Sequence, residues 1–265
     1  MLIEVKGIVV RTRELRGSDK YLTIFTEERG LVSAIANGSR SLKSRYLAAT
    51  QLFSYASYML EYRNDCYYVR ETELLESFFA LRLDIVRTAL GNYICEVASD
   101  TVVPEQPESE FLRLVLNSLY AIAAGKHSLT LIKAAFEFRA AALLGFSPEP
   151  NGCAACGSDE EEMFLDIMNG NLLCRACRDR LQNELPTSED DFRARTRVVL
   201  AVLTPAALRA VDYVIHAPLE RLLSFRLEPE DSRHFAHAAE EYLLHHLGRG
   251  FRTLAFYKEM AAETV

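Results

Sequence analysis

No run of uncharged residues in this 265-residue chain exceeds the 15 from Tyr46 to Leu60, and Thr50, Gln51, Ser54 and Ser57 make even that one polar. It is too short and too polar to span a bilayer, so no transmembrane helix is expected. Glu4 and Lys6 interrupt the first apolar residues. That leaves no signal-peptide core and makes a reducing cytoplasm the expected compartment. An excess of positive charge is missing too: 30 Lys and Arg stand against 37 Asp and Glu, for a formal charge of -7. A uniformly basic nucleic-acid coat is excluded, although a local patch is not. The chain has no glycine-lysine phosphate loop, no G-x-G-x-x-G and no nucleophile elbow. No catalytic constellation emerges, and no repeat at a fixed period. The expectation is a protein that is not an enzyme.

What is present fits a globular chain long enough for two domains, with 49% hydrophobic and 25% charged side chains. Charge is unevenly spread: residues 1–50 hold nine basic against five acidic side chains, and residues 151–265 hold 13 against 19. The N-terminal end is the basic one.

Residues 2–13 are rich in Val and Ile, and "YLTIFT" (21–26) alternates Leu22 and Ile24 with Tyr21, Thr23 and Phe25, as a half-buried strand does. "EERG" (27–30) supplies a turn, and "LVSAIANG" returns as a third strand. "QLFSYASYMLEY" (51–62), a tight "RND" turn and "CYYVRETELLE" (66–76) add two more. Five short antiparallel strands without crossover helices are best accommodated by closure, so residues 1–77 are expected to form an OB-like β-barrel.

From Phe78 the period becomes helical, with Leu81, Ile85, Leu90 and Ile94 on one stripe. Further helices are expected over 110–124 and 129–145, at "RDRLQNEL", over Phe192–Val202, Pro205–Ile215 and Pro229–Leu247, and near Phe251–Met260. The fold class is therefore multidomain β + α: the barrel, an all-helical domain over 78–265, and a cysteine module inserted at 150–180.

That module carries Cys153, Cys156, Cys174 and Cys177 as two C-x-x-C pairs separated by 17 residues. Each C-x-x-C turn aims two sulfurs at one point, and this spacing reads as a tetrahedral Zn²⁺ site, one ion per chain. Gly157 suits a tight knuckle, and Asn169-Gly170 the tip of a small hairpin that returns the second pair to the first. A disulfide pair is disfavoured by compartment, and thioredoxin-like chemistry by the missing βαβ unit. Four cysteines close the coordination sphere, so the expected role is structural; a nucleobase deaminase would also need an H-x-E or C-x-E element that is absent. Cys66 and Cys95 stand alone and read as small buried hydrophobes.

"NGSRSLKSRY" (37–46) places Arg40, Lys43, Ser44 and Arg45 in the connection between the third and fourth strands. Cations, hydroxyls and exposed amides together suit a nucleic-acid backbone, and Arg11, Arg13, Arg16 and Lys20 extend the patch. Taken alone, such a loop is more often simply solvated. The aromatic residues of the strands read mainly as core and pairing positions, some of them able to stack bases. His234/His237 and His245/His246 fall on a late helix; an i, i+3 histidine pair can ligate a metal, but surface histidines are the commoner reading.

The opening "KGIVVRTRELRGSDKYLTIFTEERGLVSAIANGSRSLKSRY", the middle "FEFRAAALLGFSPEPNGCAACG" and the closing "FRTLAFYKEM" resemble, in order and spacing, the RecO family of bacterial DNA repair and recombination mediators. The resemblance implies an OB-fold that binds single- and double-stranded DNA, a helical domain with a zinc-binding insert, and annealing of complementary strands. It also implies work at the nucleoid with RecR, and often RecF, to place RecA on DNA covered by single-stranded-DNA-binding protein, whose acidic tail docks on the helical domain in some members. By position it carries over to Gly38, Arg40, Lys43, Ser44, Arg45 and the four cysteines. Asn37 stands where many members have Lys and Ser39 where they have Ala. Two other readings compete: a zinc-stabilised protein–protein adaptor without direct DNA binding, and a metal-dependent nuclease, which would need clustered carboxylates, whereas Asp159–Glu162 reads better as a solvated acidic loop.

Overall fold

The computed structural model describes residues 1–159, 162–183 and 199–263. Two compact units emerge: Met1–Lys126 together with Phe251–Val265, and His127–Gly250.

The first unit contains a closed barrel of β1 (Leu2–Glu14), β2 (Lys20–Thr26), β3 (Gly30–Ala36), β4 (Tyr55–Arg63) and β5 (Cys66–Glu76), in the order β1-β2-β3-β5-β4. All neighbours pair antiparallel except β3 and β5, whose short parallel contact sets Ile35 beside Tyr68. Alternation fills the interior: Val5, Leu22, Ile24, Val32, Ala34, Ala56, Tyr58, Leu60 and Val69 form one buried cluster. An irregularity in pairing between Val9 and Arg11 lets Val9 and Val10 both be buried before the strand turns its arginines outward. The long connection between β3 and β4 is a chain of turns that adds Ala49 to the same cluster. Tyr58 fastens it there by donating to the Ala49 carbonyl at 2.7 Å, and burial pushes the Tyr58 phenol well up. Residues 51–54, expected in a strand, belong to this turn region, where Phe53 takes a positive φ of 68° and is buried.

After the barrel the predicted helix at Phe78 arrives in two parts. A 3-10 turn (Phe79–Leu83) precedes α1 (Ile85–Thr101), because the Asp84 carboxylate caps α1 by accepting from the Val86 and Arg87 N–H groups. α2 (Ser109–Ala124) packs Phe111 against Phe25 of β2, with ring centroids 6.1 Å apart. The last helix also belongs to this unit: Phe251, at its start, meets Tyr93 of α1 edge-on at 5.7 Å.

The second unit is built around α3 (Leu129–Leu143), buried on every side from Leu131 to Ala141, which is why its sequence shows little amphipathic contrast. α5 (Pro205–His216) and α6 (Pro229–Leu247), each with Pro in its first turn, pack on it, and Phe138 touches Phe235 and Tyr242 with centroids 5.3 and 6.1 Å away. Arg139 donates to the carbonyls of Val214 and Ile215, placing a cation at the α5 C-terminus, where the helix dipole favours it. Before α5 lie β6 (Met163–Asp166), β7 (Leu172–Cys174), α4 (Arg175–Asn183) and β8 (Leu200–Leu203). The sheet order is β7-β6-β8. The helix expected over Phe192–Val202 falls mostly outside the described residues, as do Glu160 and Glu161 of the acidic loop. Its last residues form β8, paired to β6 from Leu200 opposite Asp166 to Leu203 opposite Met163. α7 (Arg252–Glu263) closes the chain.

No helix among the described residues is long and apolar enough to cross a membrane.

Candidate nucleic-acid interface and metal centre

The 37–46 loop is held by its own backbone and by the turn between β1 and β2. Gly38, with φ 64°, donates its N–H to the Asp19 carboxylate at 2.7 Å, and the Arg40 N–H donates to the Ser18 carbonyl at 2.9 Å. The Arg40 guanidinium continues the attachment, donating to the Gly17 carbonyl at 3.1 Å and pairing with Glu14 at 2.8 Å. Arg45 donates to the Tyr46 hydroxyl at 2.6 Å and to the Arg70 carbonyl at 2.8 Å, lying over the Tyr46 ring. Ser44 accepts from the Tyr46 N–H at 3.2 Å. Lys43 is exposed between them. The structure thus places Arg40, Lys43, Ser44 and Arg45 on one pinned surface segment with three cationic heads at the protein surface.

The other expected residues divide. Arg11 and Arg13 lie exposed on the outer side of β1, Arg11 facing Asp100 at 3.4 Å and Arg13 over the Tyr21 ring at 5.4 Å. Lys20 points the opposite way. It is 9% exposed and donates from Nζ to the Thr50 carbonyl at 3.1 Å, tying the turn-rich connection to β2. Burial pulls its pKa below the ordinary lysine value, with Glu14 opposing and Arg82 and Arg40 adding to the fall. As placed, Lys20 offers its charge to the interior and not to a phosphate.

Ser39, which stands where the resembling family often has Ala, is fully buried, and its hydroxyl has no hydrogen-bond partner. A methyl would satisfy that position better. Arg63 and Arg70 are cations the sequence reading passed over. Arg63 lies 4.2 Å from the Tyr68 ring, and Arg70 pairs with Glu61. Their signal was the strand alternation that sends them outward, without any sequence cue to their neighbours.

The four cysteines of the two pairs converge, all their sulfurs lying within 4.8 Å of one another. The Cys156 and Cys174 sulfurs are 3.7 Å apart. A tetrahedral ion with sulfurs at about 2.3 Å would have edges of about 3.8 Å, so the residues fit such an ion. Local structure creates the arrangement. Gly157, with φ 73°, closes the first knuckle by donating to the Cys153 carbonyl at 2.7 Å, and the Ala154 N–H reaches the Leu172 carbonyl at 2.8 Å, joining that knuckle to β7. Between β6 and β7, Asp166 accepts from the N–H groups of Met168 and Asn169 at 2.9 and 3.2 Å, shaping the turn. Cys153, Cys174 and Cys177 are buried and Cys156 is exposed.

Crowding separates the thiols. Burial pushes Cys153 up, but N–H groups of Cys174, Ala155 and Cys156 outweigh it and bring its pKa to about 6. Hydrogen bonds with Cys156 and Cys174 push Cys177 up to about 12. A cation at the centre is what would let all four ionise together. Of the remaining cysteines, Cys95 is buried, which raises its thiol pKa strongly, and Cys66 is half-buried. Among the late histidines, His234 is half-buried and His237 and His245 are exposed, but His246 is not a plain surface group: it stacks on Phe146 at 5.1 Å and touches Tyr242 at 4.3 Å.

Comparison with known proteins adds an independent line. The family model described as recombination protein O N terminal matches residues 1–78, and that described as recombination protein O C terminal matches residues 82–255. A protein of Acetivibrio thermocellus named DNA repair protein RecO is 27% identical over 259 residues, covering 97% of both chains. The protein of that name from Desulforudis audaxviator is 31% identical over 259 residues, covering 97% of this chain and 96% of its own. The one from Symbiobacterium thermophilum is 31% identical over 229 residues, covering 84% and 90%.

Proposed function

The chain belongs to the RecO family of DNA repair proteins, and from that premise we propose that it is a non-enzymatic mediator that binds single- and double-stranded DNA. In this reading residues 1–77 are the nucleic-acid module. The observation that carries it is the pinned loop: Arg40 and Arg45 are oriented by backbone carbonyls, and Lys43 stands exposed between them. Cations fixed before binding lose little freedom on meeting phosphates. They screen the repulsion between two complementary strands, which is what annealing requires.

Residues 78–265, with the 150–180 insert, form the partner-facing part in this reading. RecR, RecF and the acidic tail of single-stranded-DNA-binding protein are its proposed partners, and loading of RecA on coated DNA in the cytoplasm is the proposed outcome. The four cysteines hold one structural Zn²⁺. Four thiolates are the donor set that ion takes in closed sites, and they leave no position for substrate. When bound, the ion supplies cross-linking of β7 and α4 to the first knuckle, and no chemistry on DNA.

The test is annealing of complementary strands precoated with single-stranded-DNA-binding protein, with and without RecR, comparing the native chain with Arg40→Ala/Lys43→Ala/Arg45→Ala. The native chain should anneal and the triple variant should bind weakly with a flatter salt dependence. Equal affinity and equal salt slope in the two would instead favour the adaptor reading, in which the barrel contacts only proteins.

A further inference from the structure

Five residues from all five strands form one transverse row on the outside of the barrel. Pairing sets Arg13 opposite Tyr21, Tyr21 opposite Ile35, Ile35 beside Tyr68, and Tyr68 opposite Glu61. The residues flanking them in sequence, Leu22, Ala34 and Val69, point into the core, so the row faces out. Tyr21, Ile35 and Tyr68 are each half-buried at the surface.

A guanidinium lies over each of the row's two tyrosine rings. Arg13 holds its guanidinium over the Tyr21 ring at 5.4 Å, and Arg63, two residues beyond Glu61, holds its own over the Tyr68 ring at 4.2 Å. The carboxylate of Glu61 is taken up by Arg70, whose hydrogen bond, with Arg63 nearby, lowers its pKa. The two tyrosines lie on strands separated by β3, with Ile35 between them.

Nearby positions on the same strands show that this exposure is selective. Phe25, further along β2, is fully buried, with its ring against Phe111 of α2, whereas Tyr21 on the same strand keeps part of its surface in solvent. The row is also continuous with the basic loop. Asp19, two residues before Tyr21, anchors Gly38, and Arg40 is bound to the same turn.

Resting on the DNA-binding reading above, we propose that the Tyr21–Ile35–Tyr68 row, flanked by Arg13 and Arg63, is a stacking platform for unpaired bases that makes the barrel select single-stranded over double-stranded DNA. Aromatic faces and guanidinium planes are the two surfaces on which a splayed base stacks, and neither discriminates among bases. In a duplex the base faces are already stacked within the helix, so only the phosphates remain for the loop. The loop supplies affinity for any DNA, and the row supplies the preference.

The decisive measurement is binding of three probes at one salt concentration: an oligo-dT strand, an abasic strand of equal length with the same phosphates, and a duplex. The native chain should favour dT over the abasic strand by more than about tenfold. Tyr21→Leu/Tyr68→Leu, which keeps apolar cover on the barrel, should lose about tenfold or more on dT and leave the abasic and duplex affinities unchanged. Tyr21→Phe/Tyr68→Phe should retain the preference. Equal binding of dT and abasic strands by the native chain would overturn the platform while leaving DNA binding intact. Absence of binding to all three probes would overturn the mediator reading and the platform with it.

Discussion

Lys133 of α3 places its Nζ 2.8 Å from Glu240 of α6 and 2.9 Å from Glu137, one turn along its own helix. The Lys133 side chain is 5% exposed and that of Glu137 is fully buried. This is a charged join between two helices inside the second unit. Replacing a buried pair with apolar groups is often harmless, but removing one partner is not.

Lys133→Met, close in volume, should therefore cost about 3–5 kcal/mol because it removes the cation shared by the buried Glu137 and the half-buried Glu240. Urea unfolding followed by circular dichroism measures it. Lys133→Met combined with Glu137→Gln and Glu240→Gln should recover much of the loss. A near-neutral single variant would show that the carboxylates do not depend on this cation.

The same lysine sets a pH dependence. Burial lowers its pKa, but the fields of Glu137 and Glu240 outweigh that, and the value is raised above 10.5. Its ionised form is favoured in the folded state, so the stability it contributes is complete below the unfolded value and is lost as pH rises through the higher folded value. As pH rises above the unfolded lysine value of 10.5, the native chain should lose more stability than Lys133→Met.

Ser39→Ala should raise stability by about 1 kcal/mol, because it removes a buried hydroxyl that has no partner. Thermal unfolding of the two proteins decides it. A drop on substitution would mean that the hydroxyl is satisfied in solution, for instance by a trapped water.

Elemental analysis of purified protein should find about one zinc per chain, and Cys174→Ser should lose it together with cooperative unfolding of the second unit. Cys95→Ser, far from the cluster in sequence and buried alone, should leave the metal content unchanged. Purified native protein with no metal and four reactive thiols would rule the zinc assignment out.

Lys20→Met and Lys43→Ala should separate the two lysines. The first should leave DNA affinity and its salt slope unchanged while altering stability, since Lys20 serves the Thr50 carbonyl. The second should reduce the salt slope by about 1, as loss of one phosphate contact does.

The contrast between those lysines also shows how far the sequence could be read. Period-two alternation at Leu22 and Ile24 announced β2, and carried back two residues it already assigned Lys20 to the inner face. The habit of counting every cation as a surface group hid this. The cysteine spacing was legible because two short turns determine where four sulfurs go. "LAVL" at 200–203 was not: a short apolar run suits a buried strand and a helix alike, and only β6 as a partner decides it. The Tyr21–Ile35–Tyr68 row lay beyond reach for a related reason. It depends on β3 meeting β5 in parallel, a contact between segments far apart in sequence that no local pattern encodes.

The first unit is completed by residues from the far end of the chain, since α7 packs on α1 and Phe251 covers Tyr93. During synthesis the barrel strands leave the ribosome early, yet the apolar face of α1 stays uncovered until more than a hundred further residues have followed. Until then that face needs shelter from other chains, and a ribosome stalled before residue 251 would release a barrel attached to a sticky helix. Loss of the last helix should accordingly be felt at the N-terminal end, where solubility would fail before DNA binding could be measured.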